Sequence, residues 1–432
     1  MRFLPSAQAA FLRSFRHRDY RLFYSGQLVS LLGTWLQSTV LGWVVYDITK
    51  SPAKLGLVGF ASQLPPLLFG VVAGVFADRW DKRRALVWTQ ALSMMQAFAL
   101  GLLTLSGAIQ VWQIMALGFL LGIVNAFDMP IRQSFVVEIV GRRDLANALA
   151  LNSVMFNIAR TLGPAAAGFL LAYVGAGNCF LLNAASYLFV IWALLKIDFK
   201  PAPPAEKHDS VLASLKEGLG YVRNTAFIRN PLLLLAGVSF VVIPLMTQLP
   251  AAAVELLRGG PKTLGFLISC IGLGAIFGAA HLAARNSPKG LGALIASSSI
   301  VYGAAIAAFS VSSRIEISCL LLVVAGAGMM RQGVACNTLI QTLVQNNMRG
   351  RVTGLYAITF FGLAPLGSLL LGWLAAAFGV RTAYAFGGVW VLGMTAWFVY
   401  AIPDMKKSAA FMAARHADVN LGESLESLES II

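Results

Sequence analysis

The sequence predicts an all-α membrane protein with twelve transmembrane helices in two pseudo-symmetric six-helix bundles. Composition is the first ground: 58% hydrophobic and 12% charged residues over 432 positions, with a mean hydropathy of +0.75, exclude a soluble globular protein. Length is the second. Runs of about 20 apolar residues span a bilayer, and twelve occur, at 23–46, 54–77, 86–106, 111–131, 146–174, 178–196, 231–254, 262–284, 290–311, 316–342, 351–378 and 381–402. The third is a weak internal duplication. Pro52, Leu55 and Gly56 recur 209 residues on as Pro261, Leu264 and Gly265. Gly122, Gln133-Ser134 and Val140 recur 204 on as Gly326, Asn337-Thr338 and Val344, and Pro164 recurs 201 on as Pro365. Two six-helix halves leave such a trace.

Five regions follow from this reading: a cytoplasmic N-terminal segment 1–22, a bundle 23–199, a linker 200–229 with an amphipathic helix, a bundle 230–403 and a cytoplasmic tail 404–432 with little helix. The net charge of +15 reports topology, not nucleic-acid binding. With the N-terminus inside, the cytoplasmic loops hold most of the cations, and the outer side holds only Lys50, Lys54, Arg258, Lys262, Arg314 and Arg381. Both termini are therefore expected in the cytoplasm, in a multi-pass protein of the inner membrane. The first apolar run is too long for a signal core, so the first helix is expected to stay as an anchor. The four cysteines, Cys179, Cys270, Cys319 and Cys336, lack metal or redox spacing and read as small apolar fillers.

The segment Phe15 to Arg21 should lie along the interface, arginines to phosphates and aromatics to the headgroup boundary. In helix 1, Gln27, Ser30, Thr34 and Gln37 share one stripe, which serves either as a cavity wall or for hydrogen bonds between helices. Helix 2 contains Pro65-Pro66, which implies a kink. The stretch from Gly74 through Asp78, Arg79, Asp81, Lys82, Arg83 and Arg84 must be a polar turn between two spans. Gly74 would let helix backbones approach there. Helix 3 is nearly featureless and suits a supporting position. Helix 4 ends with Asp128 and Arg132 four apart on one face, a structural ion pair or a gate and proton site, and Glu138 follows.

Helix 5 carries Arg160 about fifteen residues in, roughly 22 Å deep. Asn152, Phe156, Arg160 and Pro164 share its face, with Gly163 alongside. Helix 7 has a broken polar patch at Thr247-Gln248, and helix 10 carries Arg331 at mid-span, followed by Asn337. Two such arginines would make a cavity electropositive and favour an anionic small molecule. Otherwise each is tied to backbone carbonyls or an amide within its own bundle.

Nothing points to catalysis, cofactors or a metal. The histidines, His17, His208, His281 and His416, are dispersed, and neither a Gly-x-x-x-x-Gly-Lys-(Ser/Thr) loop nor a His-Glu-x-x-His helix occurs. The partners expected are a small-molecule substrate, the lipid bilayer and protons, with no nucleic acid, and the chain is read as a monomer.

Gly74-x-x-x-Asp78-Arg79-x-x-Lys82-Arg83 resembles the hallmark loop of the major facilitator superfamily, with Asp81 where the family has a second glycine. The resemblance implies a major facilitator fold in which Gly74, Asp78, Arg79 and Arg83 form a latch that holds helix ends together when the transporter opens outward. Gly163-Pro164-Ala-Ala-Ala167-Gly168 resembles the helix-5 motif of exporters, a second gating element. Asp19-Tyr-Arg, Phe127-Asp-Met-Pro130-x-Arg132, Leu145-Ala-Asn147, Arg349-Gly350-Arg351-Val352 and Ala364-Pro365 are similar to the branch that holds the enterobactin exporter and macrolide efflux proteins. What that branch implies is proton-antiport export of siderophores or drugs, and with the two arginines the expected cargo is a small anionic or amphiphilic metabolite such as a siderophore. The other readings are broad drug efflux, a lysophospholipid flippase and a non-transporting receptor or scaffold. None of the 18 acidic residues lies at the centre of a span, and Asp128, with Arg132 and Glu138 nearby, is the proton-coupling candidate.

Overall fold

The structure, a computed structural model, describes residues 13–198, 211–285, 287, 289–345 and 348–415. The proline-rich linker with His208, the first residues of the N-terminal segment and the tail beyond 415 lie outside the described residues. Among the described residues every regular element is helical. A 3₁₀ turn at Arg13–Arg16 leads into α1 (Arg18–Thr49), α2 (Pro52–Arg79) and α3 (Lys82–Leu105). One continuous run of 86 residues, Val111–Lys196, comes next. It is three helices, because Gly141 (φ 68°) and Gly175 (φ 78°) leave helical geometry and take a left-handed φ that a residue with a Cβ adopts only at a cost. These are α4 (111–140), α5 (142–174) and α6 (176–196).

The second half comprises α7 (Val211–Asn224), α8 (Ala226–Thr247), α9 (Leu249–Glu255), α10 (Pro261–Ala283), α11 (Leu291–Val311), α12 (Ile315–Leu343), α13 (Arg349–Gly362), α14 (Ala364–Phe378) and α15 (Val380–Arg415). Among the described residues ten stretches have the length and apolar window of a membrane span. One of them, Arg143–Lys196, is folded in two at Gly175, and the 28-residue α2 adds a further crossing. Among the described residues that makes twelve crossings, six before the linker and six after it. α2 stays helical through Pro65 and Pro66. α15 continues through Pro403 to Arg415, into the tail where little helix was expected.

The chain forms two compact units, one of residues 13–48 and 61–198, the other of 49–60 and 211–415, so the boundary falls inside α2. The first unit is cored by Tyr20, Phe23, Ile131, Phe135, Tyr187 and Val190. Its N-terminal turn is pinned to α5: Arg13 and His17 both pair with Asp144, and the Ser14 amide donates to the Asn147 side chain over 2.8 Å. Arg13 therefore reaches a carboxylate on the protein itself.

The second unit relies on side chains donating to helix backbone. Tyr384 Oη donates to the Leu245 carbonyl (2.7 Å), and Trp390 Nε1 donates to that of Gly237 (2.8 Å). α7 is seated on the start of α13, where Arg351 pairs with Glu217 at 2.9 Å and a Cβ on Gly218 would lie 3.1 Å from that of Arg351.

Candidate functional site

The polar turn after α2 is built around a helix start. Asp81, at the position the family gives to glycine, has extended backbone (φ −61°, ψ 106°), and its carboxylate accepts from the Arg84 amide. It is the N-cap of α3, which an aspartate fills well and which explains the departure. Arg83 reaches the far end of α6, where Nε and Nη2 donate to the Leu194 and Leu195 carbonyls at 2.7 and 2.8 Å. Those carbonyls sit at a helix end and have no intrahelical donor. Lys82 pairs with Glu138 on α4 at 2.7 Å, both side chains largely covered, and Glu138 Oε2 is buried without a partner. Arg84 stays exposed. The side chains of Asp78 and Arg79 lie outside the described residues. Gly74 needs correcting: among the described residues nothing lies within 4 Å of where its Cβ would be, so no close helix approach is seen at it.

Asp128 is buried, with 4% of its surface exposed. Its Oδ1 accepts from Thr89 Oγ1 (2.8 Å) and Gln90 Nε2 (2.7 Å), and its Oδ2 meets Arg132 Nη2 at 2.9 Å. The pair foreseen within α4 is thus joined by two donors from α3, the helix expected to be featureless. α3 in fact buries Thr89, Gln90, Ser93 and Gln96. Thr89, Ser93 and Gln96 fall at i, i+4 and i+7, a stripe that was present in the sequence and that apolar neighbours obscured.

Gln37 Nε2 donates to Gln96 Oε1 (3.0 Å), and Asn183 Nδ2 donates to Gln37 Oε1 (2.8 Å). Thr34 donates to the Ser30 carbonyl and contacts Tyr187 Oη at 3.3 Å. Gln27, Ser30 and Gln37 are buried. Of the two roles open to this stripe, the geometry is that of hydrogen bonding among α1, α3 and α6. The cavity-wall role fails at Gln37, whose amide oxygen and nitrogen each have a protein partner.

On α5 the face Asn152, Phe156, Arg160 is differently placed. Phe156 is 46% exposed and meets Trp35 edge to face, centroids 5.6 Å apart. Arg160 is half-buried, and Nη2 donates to Asn157 Oδ1 at 3.0 Å. Its Nε is buried with no hydrogen-bond partner, as is Asn152 Oδ1. A guanidinium has five donors in a fixed fork, and among the described residues Nε finds no acceptor. One turn on, Gly163 and Pro164 are buried. A Cβ on Gly163 would come within 2.7 Å of Trp35 Cβ and 3.0 Å of the Leu32 carbonyl, so this glycine sets how closely α5 lies against α1.

In the second unit Gln248 is fully buried, donates to the Pro52 carbonyl at 3.1 Å and leaves Oε1 unpaired. It ties the α8–α9 break to the start of α2, which corrects its assignment as an open wall. Thr247 donates to the Ile243 carbonyl at 3.3 Å. Arg331 is half-buried with its Nε unpaired, and Asn337, two turns away, is exposed.

The model of a family described as transmembrane secretion effectors matches residues 9–428. The chain is similar to the staphyloferrin A transporter of Staphylococcus aureus, 27% identical over 392 residues, covering 89% of this chain and 97% of that protein. It is also similar to the multidrug efflux pump Tap of Mycolicibacterium fortuitum, at 24% identity over 361 residues, 82% of this chain and 88% of the pump. Among solved structures, a bacterial homolog of the human lysosomal transporter Spinster, in an inward-facing and occupied conformation, superposes with a TM-score of 0.71 at 16% identity, over 91% of this chain and 98% of that one. That likeness speaks for the fold. The chain therefore belongs to the transmembrane secretion effector family of the major facilitator superfamily, and it is a multi-pass membrane transporter.

Proposed function

We propose that this transporter exports a small anionic or amphiphilic metabolite, such as a siderophore, from the cytoplasm across the inner membrane by alternating access, in exchange for protons. Both termini face the cytoplasm in this reading. The observation that carries it is Arg160: a guanidinium deep in an apolar helix with Nε unpaired, one turn from an exposed phenylalanine. Such a charge has a large desolvation cost unless something anionic arrives to offset it. Asn152 Oδ1, also unpaired, offers an acceptor two turns away. The staphyloferrin A transporter's name supports this class of cargo.

Asp128 supplies proton coupling. Its protonation would release Arg132 and rearrange the donors of α3, which links a titration to a movement of helices. Tap's name favours a second reading, broad drug efflux.

Inside-out vesicles with an imposed pH gradient test both. A labelled anionic siderophore should accumulate with the native chain and not with Arg160→Gln. Asp128→Asn should keep siderophore binding and lose gradient-driven uptake; unchanged antiport would remove Asp128 from the mechanism. Accumulation of unrelated cationic drugs, with no siderophore uptake, would replace the first reading by the second.

A further inference from the structure

α10 and α12 are separated in the chain by one return helix, α11, and so run in the same direction within the second unit. Their backbones meet at glycines. A Cβ on Gly274 would strike the Val323 carbonyl, and a Cβ on Gly278 would lie 2.6 Å from that of Ala327. Both pairs are separated by the same number of residues, so the two helices hold one register over a full turn. Carried back one turn, that register sets Cys270 opposite Cys319, and the two thiols interact with each other directly. Both are free and only partly covered, unlike the buried Cys179 and Cys336.

We propose that Cys270 and Cys319 form a two-thiol site for a soft metal ion that prefers linear coordination, with Hg(II) as its match. Soft thiolates select soft ions, and a pair of sulfurs on facing helices suffices for two-coordinate geometry. Zinc is not matched, since it takes four ligands and the described residues hold no group of three or more ligating side chains. On binding mercuric chloride, each thiol loses its proton to solvent, each sulfur forms one bond to the metal and the two chlorides leave; no electrons change hands. A divalent ion with two thiolates is neutral, which suits an apolar surrounding, whereas a monovalent ion would leave a net negative charge there.

The test uses the full chain in detergent with one equivalent of mercuric chloride, followed by a wash with excess glutathione and intact mass spectrometry. The native chain should retain one mercury in place of two protons. Cys270→Ser and Cys319→Ser should each lose it, and a Cys179→Ala, Cys336→Ala double variant should retain it. In the unsubstituted chain, peptide mapping should show both Cys270 and Cys319 protected from maleimide together. Release of mercury from the native chain as readily as from the serine variants, or protection of only one of the two cysteines, would overturn the proposal.

Discussion

Lys82 and Arg83 leave the α2–α3 turn to engage α4 and α6, whereas Arg285, at the corresponding turn after α10, donates to the Ser287 and Lys289 carbonyls of its own loop. The same contrast holds in the bundle interiors. The first unit joins helices through buried side-chain pairs such as Gln37 with Gln96 and Asp128 with Thr89 and Gln90, alongside Tyr20 donating to the Ala148 carbonyl, and in the second the buried ties include Tyr384 and Trp390 donating to backbone carbonyls. A side-chain pair breaks when either partner titrates or moves, while a bond to a helix carbonyl depends on one group alone. Among the described residues the largely covered carboxylate pairs between charged side chains, at Asp128 and Glu138, lie in the first unit, whereas Glu217 in the second is half exposed.

The largest effect that would break this comparison is at Asp128. Asp128→Ala leaves Arg132 partly buried and unpaired, and should lower stability by about 3 kcal/mol, read as a fall in the thermal midpoint of the detergent-solubilised protein. A change within error would mean that the cluster is not a tie between α3 and α4. Next comes a pair of glycines. Gly163→Val should cost about 2 kcal/mol by forcing α5 away from Trp35 and Leu32, whereas Gly333→Ala, with nothing within 4 Å of its Cβ position, should be tolerated. Arg83→Ala, which strands two carbonyls, should cost about 1.5 kcal/mol, and Arg285→Ala about 0.5 kcal/mol or less. The smallest test is a pair of double-mutant cycles. Coupling between Lys82 and Glu138, whose side chains are 14% and 19% exposed, should exceed that between Arg351 and Glu217, at 26% and 50%. The latter should stay below about 1 kcal/mol. Equal couplings would remove the asymmetry.

Much of this was legible in the sequence. The crossings are long apolar runs, which depend on nothing distant, and the Asp128–Arg132 pair needs only helical spacing. The partners of such groups were not legible. Glu138 meets Lys82, and Thr89 and Gln90 meet Asp128, only once α3 lies against α4, a tertiary fact that no local spacing carries. The helix-1 stripe was seen, but its two possible surroundings differ only in which helices cover it. Gly74 was read as a packing glycine and has open space instead, while Gly163, read as part of an exporter motif, turns out to set a helix contact.

Gly141 and Gly175 each reverse the chain within a single residue, so the stretch from 111 to 196 crosses three times with almost no connecting loop. Proteases and antibodies have little to grip at either bend, and an epitope inserted at 141 or 175 would have to unwind the helices on both sides of it. Labels meant to report which side of the bilayer a segment faces belong instead between Leu105 and Val111, where the backbone is already out of helix.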